Sequence, residues 1–207
     1  MNEAHLNIAA KAAINCWQGN EGRLSKGIQE SLVIDTDLLR HWLGTWMLAR
    51  SNPKVLRKTL AEKLTSLKGT IAATEPDRLP GLISDFANSL HLSSATRGVQ
   101  TSLVSKFAFS VQPEFIYPYD ARARKGLEAL YNIKIKNHDY SSYFAAFEIL
   151  QHEVDNELDK NMLYDLTSSW QPVMSETLFR KRTADKYMML LGGFNASLMS
   201  QAGLAAQ

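Results

Sequence analysis

The spacing of apolar residues constrains this chain most. Along its 207 residues, apolar positions recur every three or four places, the period of an amphipathic α-helix. Sustained strict alternation is missing. NIKIK at 132–136 alternates, but it is too short to build a sheet alone. No repeat of 20–50 residues is visible. The expectation is an all-α fold of eight or so helices joined by short links.

Caps and breakers place the elements. Residues 3–17 are alanine-rich and end at Gly19-Asn20, and 19–34, with Gly19, Gly22 and Gly27, read as a loop or broken helix. Asp35 or Asp37 N-caps a helix over LLRHWLGTWMLAR that stops near Asn52-Pro53. Pro53 suits the first turn of PKVLRKTLAEKLTSLKG, which Gly69 can end. Thr74, Pro76 and Pro80 mark a connection at 70–80, which would divide the single all-α domain 1–207 into two lobes. Leu82, Ile83, Phe86 and Leu90 share one face of the next helix, and Leu103, Val104, Phe107 and Val111 share one face of the helix that Pro113 stops. Asp120 sits where an N-cap belongs for ARARKGLEALYN. Asp139 or Ser141 caps SSYFAAFEILQHEVDNELDK, with Phe144, Phe147, Val154 and Leu158 as its stripe. Pro172 opens a last helix through FRKRTADKYMMLL, which Gly192-Gly193 ends, and a small, polar tail follows at 194–207.

Composition removes several classes. One cysteine, Cys16, excludes an internal disulfide framework and a cysteine-based zinc or iron–sulfur cluster; in AAINCW it reads as a small buried residue. No apolar run approaches the roughly 20 residues of a membrane span, and MNEAHLNIAAKAAIN does not read as a signal peptide. The expectation is a cytoplasmic, soluble monomer. Net charge is only +2, so where the charge lies matters more than its sum. No nucleophile elbow or phosphate-binding G-x-x-x-x-G-K-[ST] loop occurs.

The residues with chemistry to offer cluster around FIYPYDARARKGL, 115–127. Asp120 can cap a helix and also hold an ionised carboxylate at its positive end. Such a carboxylate stabilises a developing cation or activates water. Arg122, Arg124, Lys125, Lys134 and Lys136 follow, with Glu128 as the only acid among them. Cations beside aromatics suit a phosphate-lined ligand, although a solvated face explains them equally. His152, with Glu148 and Asp155 on one helical face, has metal-ligand spacing, but the surrounding acids read better as a solvated face. Trp42 and Trp46 read as core, and the RKR at 180–182 as a small basic spot on a helix.

Taken together, SSATRGVQTSLVSKFAFSVQPEFIYPYDARARKGL (93–127) resembles the catalytic segment of the helix-hairpin-helix DNA glycosylases. Arg97-Gly98 stands for the hairpin, LVSKFAFSV for the helix after it, and Tyr117-Pro118-Tyr119-Asp120 for the aspartate turn. The chain departs from the family where SSATRGV replaces the Leu-Pro-Gly-x-Gly hairpin. It departs again where Val99, Gln100, Thr101 and Ser102 occupy the place of the lyase lysine; Lys106 lies further along the helix.

The resemblance implies a two-lobed helical fold, double-stranded DNA as partner, no cofactor, and excision of a flipped base to leave an abasic site. It implies that Asp120 stabilises the oxocarbenium-like sugar and positions water, with Lys106 a weaker candidate for lyase chemistry. Tyr117, Tyr119 and Trp42 would line the base pocket, and Arg97, Gly98, Arg122, Arg124 and Lys125 would hold the DNA. The base could be damaged or deliberately modified, as in phage DNA, so repair and defence stay open.

Two other readings compete. ATRGVQTSLVSKFAF could be a helix-turn-helix recognition segment of a DNA-binding regulator, with Arg97, Gln100, Ser102 and Lys106 reaching bases. A helical protein-interaction module would use the charged faces as its rim.

Overall fold

The computed structural model describes residues 1–50, 52, 54–161 and 173–193. They form α1 (Glu3–Cys16), α2 (Gly22–Glu30), α3 (Thr36–Thr45), α4 (Arg57–Ala72), α5 (Leu79–Leu92), α6 (Thr101–Val111), α7 (Ala121–Tyr131), α8 (Tyr140–Asn161) and α9 (Glu176–Leu191). No strand occurs among the described residues, so the fold is all-α, and NIKIK is irregular after α7.

Local chemistry sets the helix ends. Asp35, not Asp37, caps α3: its Oδ1 accepts from the backbone N–H groups of Asp37 and Leu38 at 2.9 and 2.8 Å. α3 stops at Thr45, short of the expected Asn52. Met47 turns into the left-handed region at φ 55°, and the Leu48 N–H bonds back to the Leu43 carbonyl at 2.8 Å. Gly69 does not end α4, which runs on to Ala72. In 19–34 the chain breaks at Gly19 (ψ −112°), within a wide turn at Trp17–Glu21, and again after Glu30, where residues 31–34 are irregular; Gly22 and Gly27 lie in the regular helix between. α8 begins at Tyr140, so Ser141 is within it and Asp139 precedes it. Pro53, Pro172 and the tail at 194–207 lie outside the described residues.

The chain gathers into two compact units. The first comprises Met1–Gly19, Tyr119–Lys136 and the described part of Ser142–Gln207; the second comprises Asn20–Pro118 and Asn137–Ser141. The expected division near 70–80 lies inside the second unit, where α4 and α5 pack on each other across a short turn.

In the first unit α9 is central, with α1 and α7 packed against it. α1 offers Ala9, Ala10, Ala12 and Ala13, all fully buried, and small side chains bring helix axes close. Half-buried Cys16 ends that helix and is less enclosed than AAINCW suggests. RKR is not a surface spot. Arg182 is 1 % exposed, and its Nη1 donates to Asp185 Oδ2 at 2.6 Å one turn along the same helix. A guanidinium can be buried when a carboxylate meets it in such geometry. Arg180 reaches Asp159 on α8 at 2.6 Å and Asp155 at 3.7 Å.

In the second unit α6 is central, against α2, α4 and α5. It was expected to bury one stripe. Instead every residue from Thr101 to Val111 is buried except Ser102, which is half-buried. Trp42 is core here: its indole N–H donates to Ser110 Oγ at 2.9 Å, and its ring meets Phe107 edge-on at 5.7 Å. Trp46 meets Phe109 in the same way at 5.8 Å.

Candidate functional site

The chain passes from the second unit into the first between Pro118 and Tyr119, so Asp120 sits at the start of a new pass through the first unit. Ile116, Tyr117, Pro118 and Tyr119 are all buried, and Asp120 is half-buried. Proline fixes its own φ and restricts Tyr117 before it, which keeps this turn extended. The Tyr117 carbonyl accepts from the Tyr140 hydroxyl at 2.8 Å. Tyr119 packs on Tyr143 with centroids 4.8 Å apart, and Tyr143 on Phe147 at 5.1 Å.

Asp120 is the N-cap of α7, as its sequence position implies. Its backbone is extended (φ −133°, ψ 138°), and Oδ1 accepts from the Arg122 N–H at 2.9 Å. The first turn of α7 is also pinned by α9. A methyl group at Gly192 would lie 2.1 Å from the Arg122 carbonyl oxygen, and one at Gly126 would lie 2.7 Å from the Met188 carbonyl oxygen. Glycine is therefore required at both positions, and the carboxylate stands on a backbone with little freedom. The sequence marked Gly192 only as a helix stop and did not single out Gly126; neither contact leaves a local signal.

The cations after Asp120 do not behave alike. Arg122 and Lys125 are exposed, as are Lys134 and Lys136. Arg124 departs from the phosphate-gripping role expected of it. Its Nη1 donates to Glu128 Oε1 and to the Ile135 carbonyl, both at 2.7 Å, while Glu128 Oε1 accepts from the Ile135 N–H at 3.0 Å. This network ties the NIKIK stretch back onto α7 through one guanidinium nitrogen that donates twice.

The remaining candidates lie partly in the second unit. Tyr117 and Trp42 are each 1 % exposed and Tyr119 is 6 % exposed. Arg97 is exposed and Gly98 half-exposed, on the turn from Ser93 to Gln100 that joins α5 to α6. That turn closes through the Ala95 N–H on the Leu90 carbonyl at 3.0 Å and the Thr96 hydroxyl on the Gly98 carbonyl at 2.8 Å. Lys106 is 8 % exposed, with Nζ 5.6 Å from the Trp46 ring centroid. His152 is exposed, while Glu148 and Asp155 face Lys181 and Arg180. Among the described residues no group of His, Cys, Asp and Glu could hold a metal ion.

Lys181 on α9 carries the clearest perturbed charge. Burial pushes its ammonium down to about 8, against the opposing pull of Glu148 and Asp155 on α8. Nζ lies 3.8 Å from Glu148 Oε1 and 5.8 Å from the Phe144 ring centroid. The unfolded chain keeps this proton up to the ordinary lysine value near 10.5, and the folded chain releases it from about pH 8. Stability should therefore rise between pH 8 and about 10, and below 8 the fold bears the full penalty of at most about 3 kcal/mol. Tyr131, raised above the usual tyrosine range by burial and then by Glu153, lowers stability only above pH 10. Denaturant unfolding of Lys181→Met should show higher stability than wild type at pH 7 and no rise from pH 8 to 9.5. An unchanged pH dependence would refute the penalty.

No helix among the described residues is long and apolar enough to cross a membrane. No family model, curated protein sequence or solved structure matches this chain.

Proposed function

We propose that this chain is a monofunctional DNA glycosylase, which takes a damaged or modified base flipped from duplex DNA and hydrolyses its N-glycosidic bond. The observation that carries the reading is Asp120. It is half-buried, held on the Arg122 N–H at 2.9 Å, and placed at the positive end of α7, where an ionised carboxylate is favoured. As the bond breaks, its electron pair leaves with the base and positive charge grows on the sugar. The fixed carboxylate stabilises that charge and takes a proton from the water that attacks the anomeric carbon, and that proton passes through solvent to the departed base. The turn of Ser93–Gln100 between α5 and α6 agrees with the hairpin position of the glycosylase reading, although its sequence departs from the family's.

The regulator reading loses support in α6. A recognition helix must lay an exposed face in the major groove. Here Lys106 is buried and Gln100 and Ser102 are half-buried, which leaves Arg97 alone well exposed.

The test is incubation of the protein with duplexes carrying a panel of oxidised, alkylated and hypermodified bases, with and without alkali. Abasic sites revealed by alkali on one class of base are expected. Breaks without alkali would point to lyase chemistry by an amine instead. No product on any duplex, despite salt-sensitive binding, would overturn the glycosylase reading.

A further inference from the structure

The charge of this chain is unevenly placed. Between Asp37 and Glu75 the only acid is Glu62, against seven cations: Arg40, Arg50, Lys54, Arg57, Lys58, Lys63 and Lys68. Two of these have structural work. Arg40 lies 3.4 Å from Asp37, and Lys68 donates to the Gln29 and Ser31 carbonyls at the end of α2. The other five make no ion pair among the described residues.

Four of them collect at one place in the second unit. Arg57 and Lys58 form the first turn of α4, Lys54 lies one turn before them, and Arg50 precedes that turn. Arg50, Lys54 and Lys58 are exposed and Arg57 half-buried. Positions 54, 57 and 58 fall on one side of the helical path. This is the wrong end of a helix for cations: the first turn of α4 holds no acid, and no side chain caps its N–H groups. Folding alone gains nothing from mutually repelling charges set against a helix dipole.

We infer that the start of α4, with Arg50, Lys54, Arg57 and Lys58, is a phosphate-binding surface for the backbone of duplex DNA, separate from the Asp120 turn. A polyanion reverses every unfavourable term at once. It pairs the cations and offsets the positive end of the helix dipole that they oppose. Duplex DNA as the occupant rests on the glycosylase reading. Val55 among these cations is 85 % exposed and would also suit an anionic lipid surface, which the second arm of the test addresses.

The experiment measures affinity for an unmodified duplex by fluorescence anisotropy across a series of salt concentrations. Lys54→Gln/Arg57→Gln/Lys58→Gln is compared with wild type. Lys11→Gln/Lys26→Gln/Lys160→Gln removes the same charge elsewhere and serves as control. The patch variant should bind more weakly and lose about two to three from the slope of log affinity against log salt. The control should keep most of the wild-type slope, and thermal unfolding should find both variants folded. Equal slopes for the two variants, or no duplex binding by wild type, would overturn the proposal. So would patch-dependent binding to phosphatidylserine vesicles without patch-dependent binding to duplex. Because the duplex is unmodified, a chain that binds through this surface but excises nothing would refute the glycosylase reading alone.

Discussion

On the glycosylase reading, Asp120→Asn should sharply slow base release while leaving the protein folded. Asparagine caps a helix about as well as aspartate, so the bond to the Arg122 N–H survives the change. What is lost is the negative charge. Its attraction to the helix dipole is worth about 0.3–1 kcal/mol of stability. Its attraction to a developing oxocarbenium ion is worth far more, because it acts where charge appears only in the transition state. Single-turnover excision should slow on the order of 10²–10³-fold, as when one electrostatic contact to a transition state is removed. Thermal unfolding and duplex affinity should stay near those of wild type. Wild-type excision by Asp120→Asn would reduce Asp120 to a helix cap.

Gly192→Ala should destabilise the first unit more than any conservative surface change. Its methyl group would lie 2.1 Å from the Arg122 carbonyl oxygen, 2.6 Å from the carbonyl carbon and 3.1 Å from Cα. All three are backbone atoms of the first turn of α7, so no side chain can swing aside. Relief requires α7 to move away from α9, at a cost of about 3 kcal/mol or more. The movement would also shift the turn that carries Asp120. Loss of excision should therefore accompany loss of stability, unlike in Asp120→Asn. Gly69→Ala is the contrasting case: α4 has open space there, and the change should add about 0.5–1 kcal/mol. Urea unfolding of the two variants separates close approach from general intolerance. An unfolding midpoint for Gly192→Ala equal to that of wild type would disprove the tight α7–α9 contact.

The two substitutions divide the Asp120 turn into a part written locally and a part supplied by another helix. Asp120 was legible as a cap because a carboxylate three residues before the N–H it serves, or nearer, needs only its own chain to reach it. The same holds for Asp35 on α3, and for the stop after Val111, where Pro113 forbids continuation. Gly192 was legible only as a helix end, since the atom it must avoid belongs to residue 122. Arg124 looked like one more cation in ARARK until Ile135 came within 2.7 Å of it. The same blindness covered α6 and α9. Both carry hydroxyls or charges that mark an exposed face on an isolated helix, and both are buried over most of their length by several helices at once.

By itself, then, the sequence determined the helical class, most helix positions and the cap at Asp120, because periodicity, capping and proline act within a few residues. Only the tertiary structure decided which charges go inside. Arg182 is enclosed with Asp185, Arg124 is tied to Ile135, and Lys54, Arg57 and Lys58 remain outside. Burial of a charge needs both a partner that meets it and helices that enclose the pair, and that enclosure is decided by how the helices pack.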